Sequence, residues 1–157
     1  MAKKVVQFLD FETEYDFLLI GIFCAYRDYR ICFELNLALD LSFEKQDDFE
    51  IQLEKKSTTG QFPIFFAKNI DEEHFFVIGN KGNNGLLISE LKQVDYFLLV
   101  RNNSRYTNSQ HLIEKIKSIT IVSSVLEYFP SEIKSGDLFQ YIEKKVEKPT
   151  PTHEQRT

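Results

Sequence analysis

The sequence predicts a single-domain α+β protein, with a largely antiparallel sheet, helices packed on one face of that sheet and a β-α-β unit near the C-terminus. Two patterns carry this prediction. Apolar and charged residues alternate between Phe43 and Leu53, which is typical of a half-buried strand. Apolar residues recur at three- and four-residue spacing between Leu112 and Ile119, which is typical of a helix that faces a core. A chain of 157 residues can bury roughly 70% of its unfolded surface, so one core suffices.

The first 40 residues are expected to contain a strand and at least one helix. Val5 to Leu9 has the composition of a short strand, and Thr13 to Asp16 resembles a helix N-terminal cap. The apolar spacing that follows favours a helix, but Phe17 to Ile22 also fits a strand, and Gly21 weakens a helix by about 1 kcal/mol. Asp28 as an N-cap predicts a helix of about three turns. The apolar residues of this segment fit the helical spacing in part and the two-residue spacing of a strand in part: Ile31, Phe33, Leu35, Leu37 and Leu39.

The middle of the chain is expected to form an antiparallel meander. Its first strand covers the alternating residues up to Leu53, its second covers Phe62 to Phe66, and its third covers His74 to Ile78. Pro63 indicates that the second strand starts there or lies at an edge. The glycine-rich stretch Gly79 to Gly85 favours a tight loop tip, and a cradle for a phosphate group is the alternative.

The last third of the chain predicts the β-α-β unit. A buried strand is expected between Val94 and Val100, a helix from about Ser109, and a second strand from Ile121 to Tyr128. A further amphipathic helix is expected within Ser131 to Val146. With the preceding elements, this unit suggests a ferredoxin-like core. The domain is expected to cover residues 1–146, and residues 147–157, which contain two prolines and no large apolar side chain, predict a disordered tail.

Charge and hydropathy exclude some classes of partner. The net charge is −5 and the basic residues are scattered, whereas nucleic-acid binding requires a concentrated positive face, so no nucleic acid is expected. The longest apolar run, Phe17 to Ala25, is far shorter than the ~20 residues of a membrane span, so no membrane is expected. The opening residues do not resemble a secretory signal, and a cytoplasmic location is therefore expected.

One run of nine residues, Ile88 to Tyr96, resembles the signature of an uncharacterised bacterial family called IPExxxVDY. Eight of the nine residues match that signature or fall at its free positions, and Ser89 stands where the family has proline. The resemblance extends from about Phe11 to Phe129, and it includes the segment Asp28 to Arg30 and Asn36. It implies no activity.

Polar residues within or near these segments are the candidate ligand-binding residues. Arg30 can present its guanidinium group to a carboxylate or phosphate, and the alternative is an ion pair within the protein, with Glu34 or Asp95. Asn36 lies within a predicted helix although asparagine is a poor helix former, so it indicates a specific hydrogen bond, for example to a loop. The candidates are Tyr26, Tyr29, Arg30, Asn36, Glu90 and Asp95.

The sequence offers weaker candidates for catalysis and for metal or cofactor binding than for ligand binding. Glu90 and Asp95 are either a carboxylate pair that faces one site, or a solvated residue and a residue that ties the turn to the following strand. Cys24 and Cys32 are expected to be reduced, buried and structural. No motif for a cofactor occurs, so none is expected, and no metal is expected because the acidic cluster Asp71 to His74 lies in a predicted turn whose side chains diverge.

Three functions remain open. The favoured one is a non-catalytic interaction or scaffold protein that binds itself or another protein, because 15 Phe and 7 Tyr exceed what a core of this size usually needs. The alternative is a small-molecule sensor in which Arg30 or Asp95 orients a polar ligand. The third is an acid/base enzyme that uses Glu90 and Asp95.

Overall fold

The computed structural model of the chain describes residues 17–53, 58–101 and 109–147. The expected strand Val5 to Leu9, the cap near Thr13 and the tail from residue 148 lie outside the described residues. The described residues include two short 3-10 turns, at Ser89–Leu91 and Pro130–Glu132. The described helices and strands are β1 (Leu18–Phe23), α1 (Asp28–Leu39), β2 (Glu44–Lys45), β3 (Phe49–Leu53), β4 (Thr58–Phe62), β5 (Ile64–Lys68), β6 (His74–Gly79), β7 (Tyr96–Arg101), α2 (Ser109–Lys117), β8 (Ser124–Tyr128) and α3 (Asp137–Glu147).

Within the described residues, six strands form one sheet in the order β2-β5-β6-β7-β1-β8, and every neighbouring pair is antiparallel. The strands β7 and β8 both pair antiparallel with β1, so they run parallel to each other, and α2 connects them. This is the predicted β-α-β unit. The chain order β1-α1-β6-β7-α2-β8 is the β-α-β-β-α-β arrangement of a ferredoxin-like core, with β2 to β5 inserted. The predicted α+β class is confirmed.

Both faces of the sheet are buried, and each has its own cover. The helices α1 and α2 cover one face, where Ile31 and Ile116 pack against alternate residues of β1 and β7. The helix α3 and the hairpin β3–β4 cover the opposite face, where the Phe139 ring lies edge-on to Phe97 with the ring centroids 5.0 Å apart. The expectation that the helices share one face therefore holds for α1 and α2 and is wrong for α3, because its apolar stripe completes a second core.

Two predicted elements are revised by the structure. The residues from Phe17 form strand β1 and not a helix, because β1 is buried on both faces and its apolar residues therefore follow one another without alternation. Gly21 suits this strand, since a Cβ atom there would lie 2.5 Å from the Tyr128 ring. The predicted second strand is divided at Pro63 into β4 and β5, which belong to different sheets. The middle segment is therefore a separate hairpin, β3–β4, with β2 before it and β5 and β6 after it in the main sheet.

Other boundaries were predicted well. Helix α1 covers Asp28–Leu39, and it ends where Asp40 adopts the left-handed conformation and donates its backbone N–H to the Asn36 carbonyl oxygen. Helix α2 begins at Ser109 and strand β6 at His74, as expected. Strand β8 begins three residues later than predicted. Helix α3 begins six residues later, because a 3-10 turn occupies the start of its predicted range.

Candidate functional site

A cleft of about 480 Å³ lies where the end of β1, the start of α1 and the start of β7 meet. The strands β1 and β7 are neighbours in the sheet, and the chain that leaves β1 leads directly into α1. The fold thus brings the end of the signature run next to the Asp28 segment. We call this the Asp95 cleft, and it is lined by Cys24, Ala25, Tyr26, Arg27, Asp28, Pro63, Lys81, Asp95 and Tyr96.

Asp95 holds two segments together at the floor of this cleft. Its Oδ2 atom accepts a hydrogen bond from the backbone N–H of Cys24 at 2.8 Å, and its Oδ1 atom accepts one from Lys81 Nζ at 2.6 Å. Asp95 therefore has a structural role, but it joins β7 to the end of β1 and to the glycine-rich loop and does not tie the turn to its own strand as expected. The neighbouring Tyr96 donates its hydroxyl to the Tyr26 carbonyl oxygen at 2.6 Å, and burial raises the pKa of Tyr96. Tyr96 therefore stays a neutral hydrogen-bond donor.

Asn80 is a structural residue that the sequence analysis missed. Its side chain is fully buried, and its Nδ2 atom donates to the carbonyl oxygens of Leu91 and Val94, each at 2.9 Å. Its Oδ1 atom accepts the N–H of Ile88 at 2.8 Å. Its own backbone N–H donates to the Asp95 carbonyl oxygen at 3.0 Å. Asn80 therefore holds most of the signature run in place, and no local pattern distinguishes it from the two other asparagines of the glycine-rich stretch.

The glycine-rich stretch itself is a loop tip, as favoured. Lys81 and Leu86 form an antiparallel bridge, and the N–H of Gly82 donates to the Gly85 carbonyl oxygen at 2.8 Å. The tip packs against strand β4, where a Cβ atom on Gly82 would lie 2.5 Å from the carbonyl oxygen of Gln61. Lys81, the lysine of the alternative phosphate-cradle interpretation, forms an ion pair with Asp95.

Glu90 and Asp95 engage different parts of the molecule. Glu90 is exposed in the 3-10 turn Ser89–Leu91, and its Oε2 atom accepts a hydrogen bond from the backbone N–H of Lys134 at 3.1 Å. The lining of the Asp95 cleft contains one of the two carboxylates only. General acid/base catalysis by this pair requires both groups within hydrogen-bonding reach of one substrate. The arrangement offers no support for that function.

The candidate residues on α1 lie on its surface. Arg30 Nε lies 3.3 Å from Glu34 Oε2, which is the ion pair considered as the alternative, and its guanidinium group lies 5.5 Å from the centroid of the Tyr26 ring. The Oδ1 atom of Asn36 accepts the backbone N–H of Phe43 at 2.8 Å. This confirms the predicted hydrogen bond to a loop. Tyr29 is exposed in the first turn of the helix.

Exposed apolar side chains form a line along α1. Tyr29, Phe33 and Leu37 are spaced four residues apart, so they lie on one side of the helix. Their exposed fractions are 65%, 56% and 68%. We call these three residues the α1 stripe. Its N-terminal end adjoins the Asp95 cleft, because Tyr26 lines the cleft and is itself half exposed.

The potential nucleophiles and metal ligands do not converge. Cys24 and Cys32 are free and buried, and burial raises the pKa of both thiols, that of Cys32 to about 12. Both thiols are therefore protonated and poorly nucleophilic at neutral pH. In the described part of the chain, no three His, Cys, Asp or Glu side chains cluster closely enough to hold a metal ion.

Comparisons with protein-family models, curated proteins and solved structures found no match to this chain. Among residues 17–53, 58–101 and 109–147, no helix is long and apolar enough to cross a membrane.

Proposed function

We propose that this chain is a non-catalytic interaction protein that binds a second copy of itself through the α1 stripe. The observation that carries the proposal is the exposure of Tyr29, Phe33 and Leu37, each more than half accessible, on one side of a single helix. A contiguous group of large exposed apolar side chains typically marks an interaction surface. Aromatic residues are also enriched at the centres of protein interfaces.

The residues of the stripe do not belong to the side of α1 that packs against the core. The core face of α1 is formed by other residues, Ile31, Cys32 and Leu35, which are fully or almost fully buried. A surface helix normally has polar residues opposite its core face. The helix α1 has a second apolar side instead, and this feature needs a partner to cover it.

A second copy fits the stripe because the stripe is nearly symmetric about its centre. In a two-fold dimer the same patch meets itself, so each residue faces its counterpart in reverse order. With two antiparallel α1 helices, Phe33 faces Phe33 of the other copy, and Tyr29 faces Leu37. Each contact then joins two large apolar side chains.

The charges beside the stripe favour the same arrangement. Arg27 and Arg30 lie at the N-terminal end of α1, and the exposed Asp40 lies at its C-terminal end. Antiparallel packing brings the arginines of one copy towards the aspartate of the other. Complementary charges at the rim of an interface fix its register and discourage other orientations.

Sedimentation equilibrium over a concentration series tests this proposal. We expect the wild type to approach twice the mass of one chain as concentration rises, and Phe33→Glu to keep the single-chain mass, because the charge would be desolvated at the centre of the dimer. The matched control is Ile70→Glu, which places the same charge at a residue that is 91% exposed between β5 and β6. That variant should dimerise as the wild type does.

Two outcomes would contradict the proposal. One is a wild type that keeps the single-chain mass at every concentration. The other is equal dissociation of the Phe33→Glu and Ile70→Glu dimers, which would show that any added charge disrupts the association. Circular dichroism of both variants confirms that they remain folded.

A second function, binding of a small polar molecule, is supported by the volume of the Asp95 cleft and its contact with Asp95. Its lining carries two cations, Arg27 and Lys81, and two anions, Asp28 and Asp95, which suits a ligand with both charges. A ligand at 100 times its dissociation constant adds about 2.7 kcal/mol, which raises the melting temperature by roughly 5–10 °C. Amino acids and other zwitterions are the first ligands to screen, and Lys81→Ala should abolish any shift.

We also propose that the chain belongs to the bacterial IPExxxVDY family and is cytoplasmic. The resemblance of the run Ile88 to Tyr96 supports the first proposal, and the free cysteines Cys24 and Cys32 are compatible with a reducing compartment. Ile88 has an extended backbone with φ −113° and ψ 95°. This is close to the conformation that precedes a proline, so the family's proline at position 89 is compatible with this turn.

A further inference from the structure

A second and larger cavity lies on the opposite side of the sheet from α1. It is a groove of about 630 Å³ between the hairpin β3–β4, the glycine-rich loop tip, the start of the signature run and the start of α3. Half-buried apolar side chains form most of its surface, and several of them pack against the core beneath. We call it the α3 groove, and its apolar lining consists of Ile51, Leu53, Leu86, Leu87, Leu138 and Tyr141.

The polar residues of the lining are mostly uncharged. Gln52, Asn84, Ser89 and Ser135 line the groove from four different segments, and Asp137 is its one charged residue among the described residues. Ser89 is the residue that stands where the resembling family has proline. The departure from the signature thus adds a hydroxyl group to the wall of this groove.

We propose that the α3 groove binds a neutral, mostly apolar small molecule that hydrogen-bonds to Ser89 and Ser135. Small-molecule sites are typically concave, have volumes of about 300–1,000 Å³ and combine an apolar lining with a few polar groups that orient the ligand. The groove has this volume and this composition. The site is separate from the α1 stripe, so it does not depend on dimer formation.

The charges of the lining select a neutral ligand. No described lysine or arginine lines the groove, so an anionic group would lose its hydration without gaining a counter-ion. A fatty alcohol therefore fits the lining better than the fatty acid of the same length.

The concave shape also favours a small molecule over a second copy of the chain. Four separate segments surround the groove, whereas the α1 stripe is a convex helix surface. Of the segments outside the described residues, residues 148–157 have no large apolar side chain that could occupy the groove. The residues before Phe17 do include apolar side chains, among them Phe8, so this segment needs a test of its own.

Titration of the protein with the neutral dye Nile red tests the proposal. We expect saturable binding with a blue-shifted emission, and Ser89→Trp should weaken it at least about tenfold, which corresponds to about 1.4 kcal/mol, because the indole fills the groove. Ser135→Trp fills the groove from the other side and should weaken binding as well. The second variant keeps the test valid if Ser89→Trp fails to fold. The matched control is Ser124→Trp, which changes an exposed serine at the start of β8 and should bind the dye normally.

Competition identifies the chemical class of the ligand. Decanol should displace Nile red at a concentration about tenfold lower than decanoate does. Equal displacement by the two would overturn the selection for a neutral ligand. Failure of the wild type to bind the dye saturably, or equal weakening by Ser124→Trp, would overturn the site itself.

Two further variants separate this site from other occupants. Phe33→Glu removes the α1 stripe and should leave dye binding unchanged, and a loss of binding would place the dye on the stripe. Phe8→Asp should also leave binding unchanged. Stronger binding by Phe8→Asp would show that the N-terminal segment fills the groove in the native protein, which would overturn the proposed ligand.

Discussion

Asn80 and the α1 stripe depart from the usual placement of side chains in opposite ways. Asn80 is a polar residue with no exposed surface, and the stripe consists of large apolar residues that are mostly exposed. Every polar atom of the Asn80 side chain has a hydrogen-bond partner inside the protein. The stripe has no comparable intramolecular explanation. The difference separates a polar residue that the fold requires from an exposed apolar surface for which we propose a partner.

The largest expected effect lies at Asn80. Asn80→Ala leaves the N–H of Ile88 and the carbonyl oxygen of Val94 without their partner, whereas the carbonyl oxygen of Leu91 still accepts the N–H of Val94. Each buried unsatisfied group costs about 1–3 kcal/mol, so we expect the free energy of unfolding to fall by at least about 2 kcal/mol, measured by urea denaturation.

Asn83→Ala is the matched control for this prediction. Asn83 belongs to the same loop tip, but it is exposed, and its Oδ1 atom accepts one hydrogen bond, from the N–H of Gln61 at 3.0 Å. Its loss should cost about 1 kcal/mol or less. Similar losses for the two variants would contradict the assignment of Asn80 as the residue that holds the signature run.

An intermediate effect is expected at Asp95, whose side chain is 20% exposed. Asp95→Ala removes a charge-assisted hydrogen bond to the N–H of Cys24 and should cost about 1–3 kcal/mol. The comparison variant Lys81→Ala removes only the ion pair between Lys81 and Asp95. The Lys81 side chain is 55% exposed, so this loss should cost less than about 1 kcal/mol. Thermal unfolding of both variants measures the difference. Unchanged stability of Asp95→Ala would indicate that Asp95 is kept for a ligand in the cleft.

The sequence predicted those parts of the fold that local patterns encode. Helix α1 was predicted because three turns of apolar residues follow Asp28. The assignment of Asp28 as its N-cap was wrong, because Asp28 is the first helical residue and Arg27 occupies the N-cap position without a side-chain cap. Strand β1 was predicted poorly, because burial on both faces removes the alternation that identifies a strand. Which face of the sheet α3 covers is also a tertiary property, since its amphipathic pattern specifies an apolar side and no partner.

The candidate site could be predicted in part for the same reason. Asp95 and Asn36 were identified. Asn36 forms the predicted hydrogen bond to a loop, whereas Asp95 bonds the end of β1 and not the turn that was expected. Asn80 was missed because its role depends on residues up to 14 positions away in the chain. The α1 stripe was missed because Phe33 and Leu37 occur among other apolar residues of the helix, and the sequence did not show which of them the core would use.

A smaller effect is expected for Ser89→Pro. Position 89 is the first residue of a 3-10 turn, where proline's fixed φ angle suits the backbone. A compatible proline stabilises a protein by about 0.4–1 kcal/mol, because it restricts the unfolded chain. We expect a melting temperature equal to that of the wild type or slightly higher. A large decrease would show that the turn differs from the backbone that the resembling family's proline requires.

The smallest change in stability is expected within the stripe itself. Phe33→Ser removes a side chain that is 56% exposed, so in monomeric protein the free energy of unfolding should change by no more than about 0.5 kcal/mol. Urea denaturation at a concentration below that of dimer formation measures this. At higher concentration the wild type alone should become more stable, because association favours the folded state. A loss above about 1 kcal/mol in the monomer would mean that Phe33 packs within its own chain, and the contrast with Asn80 would then disappear.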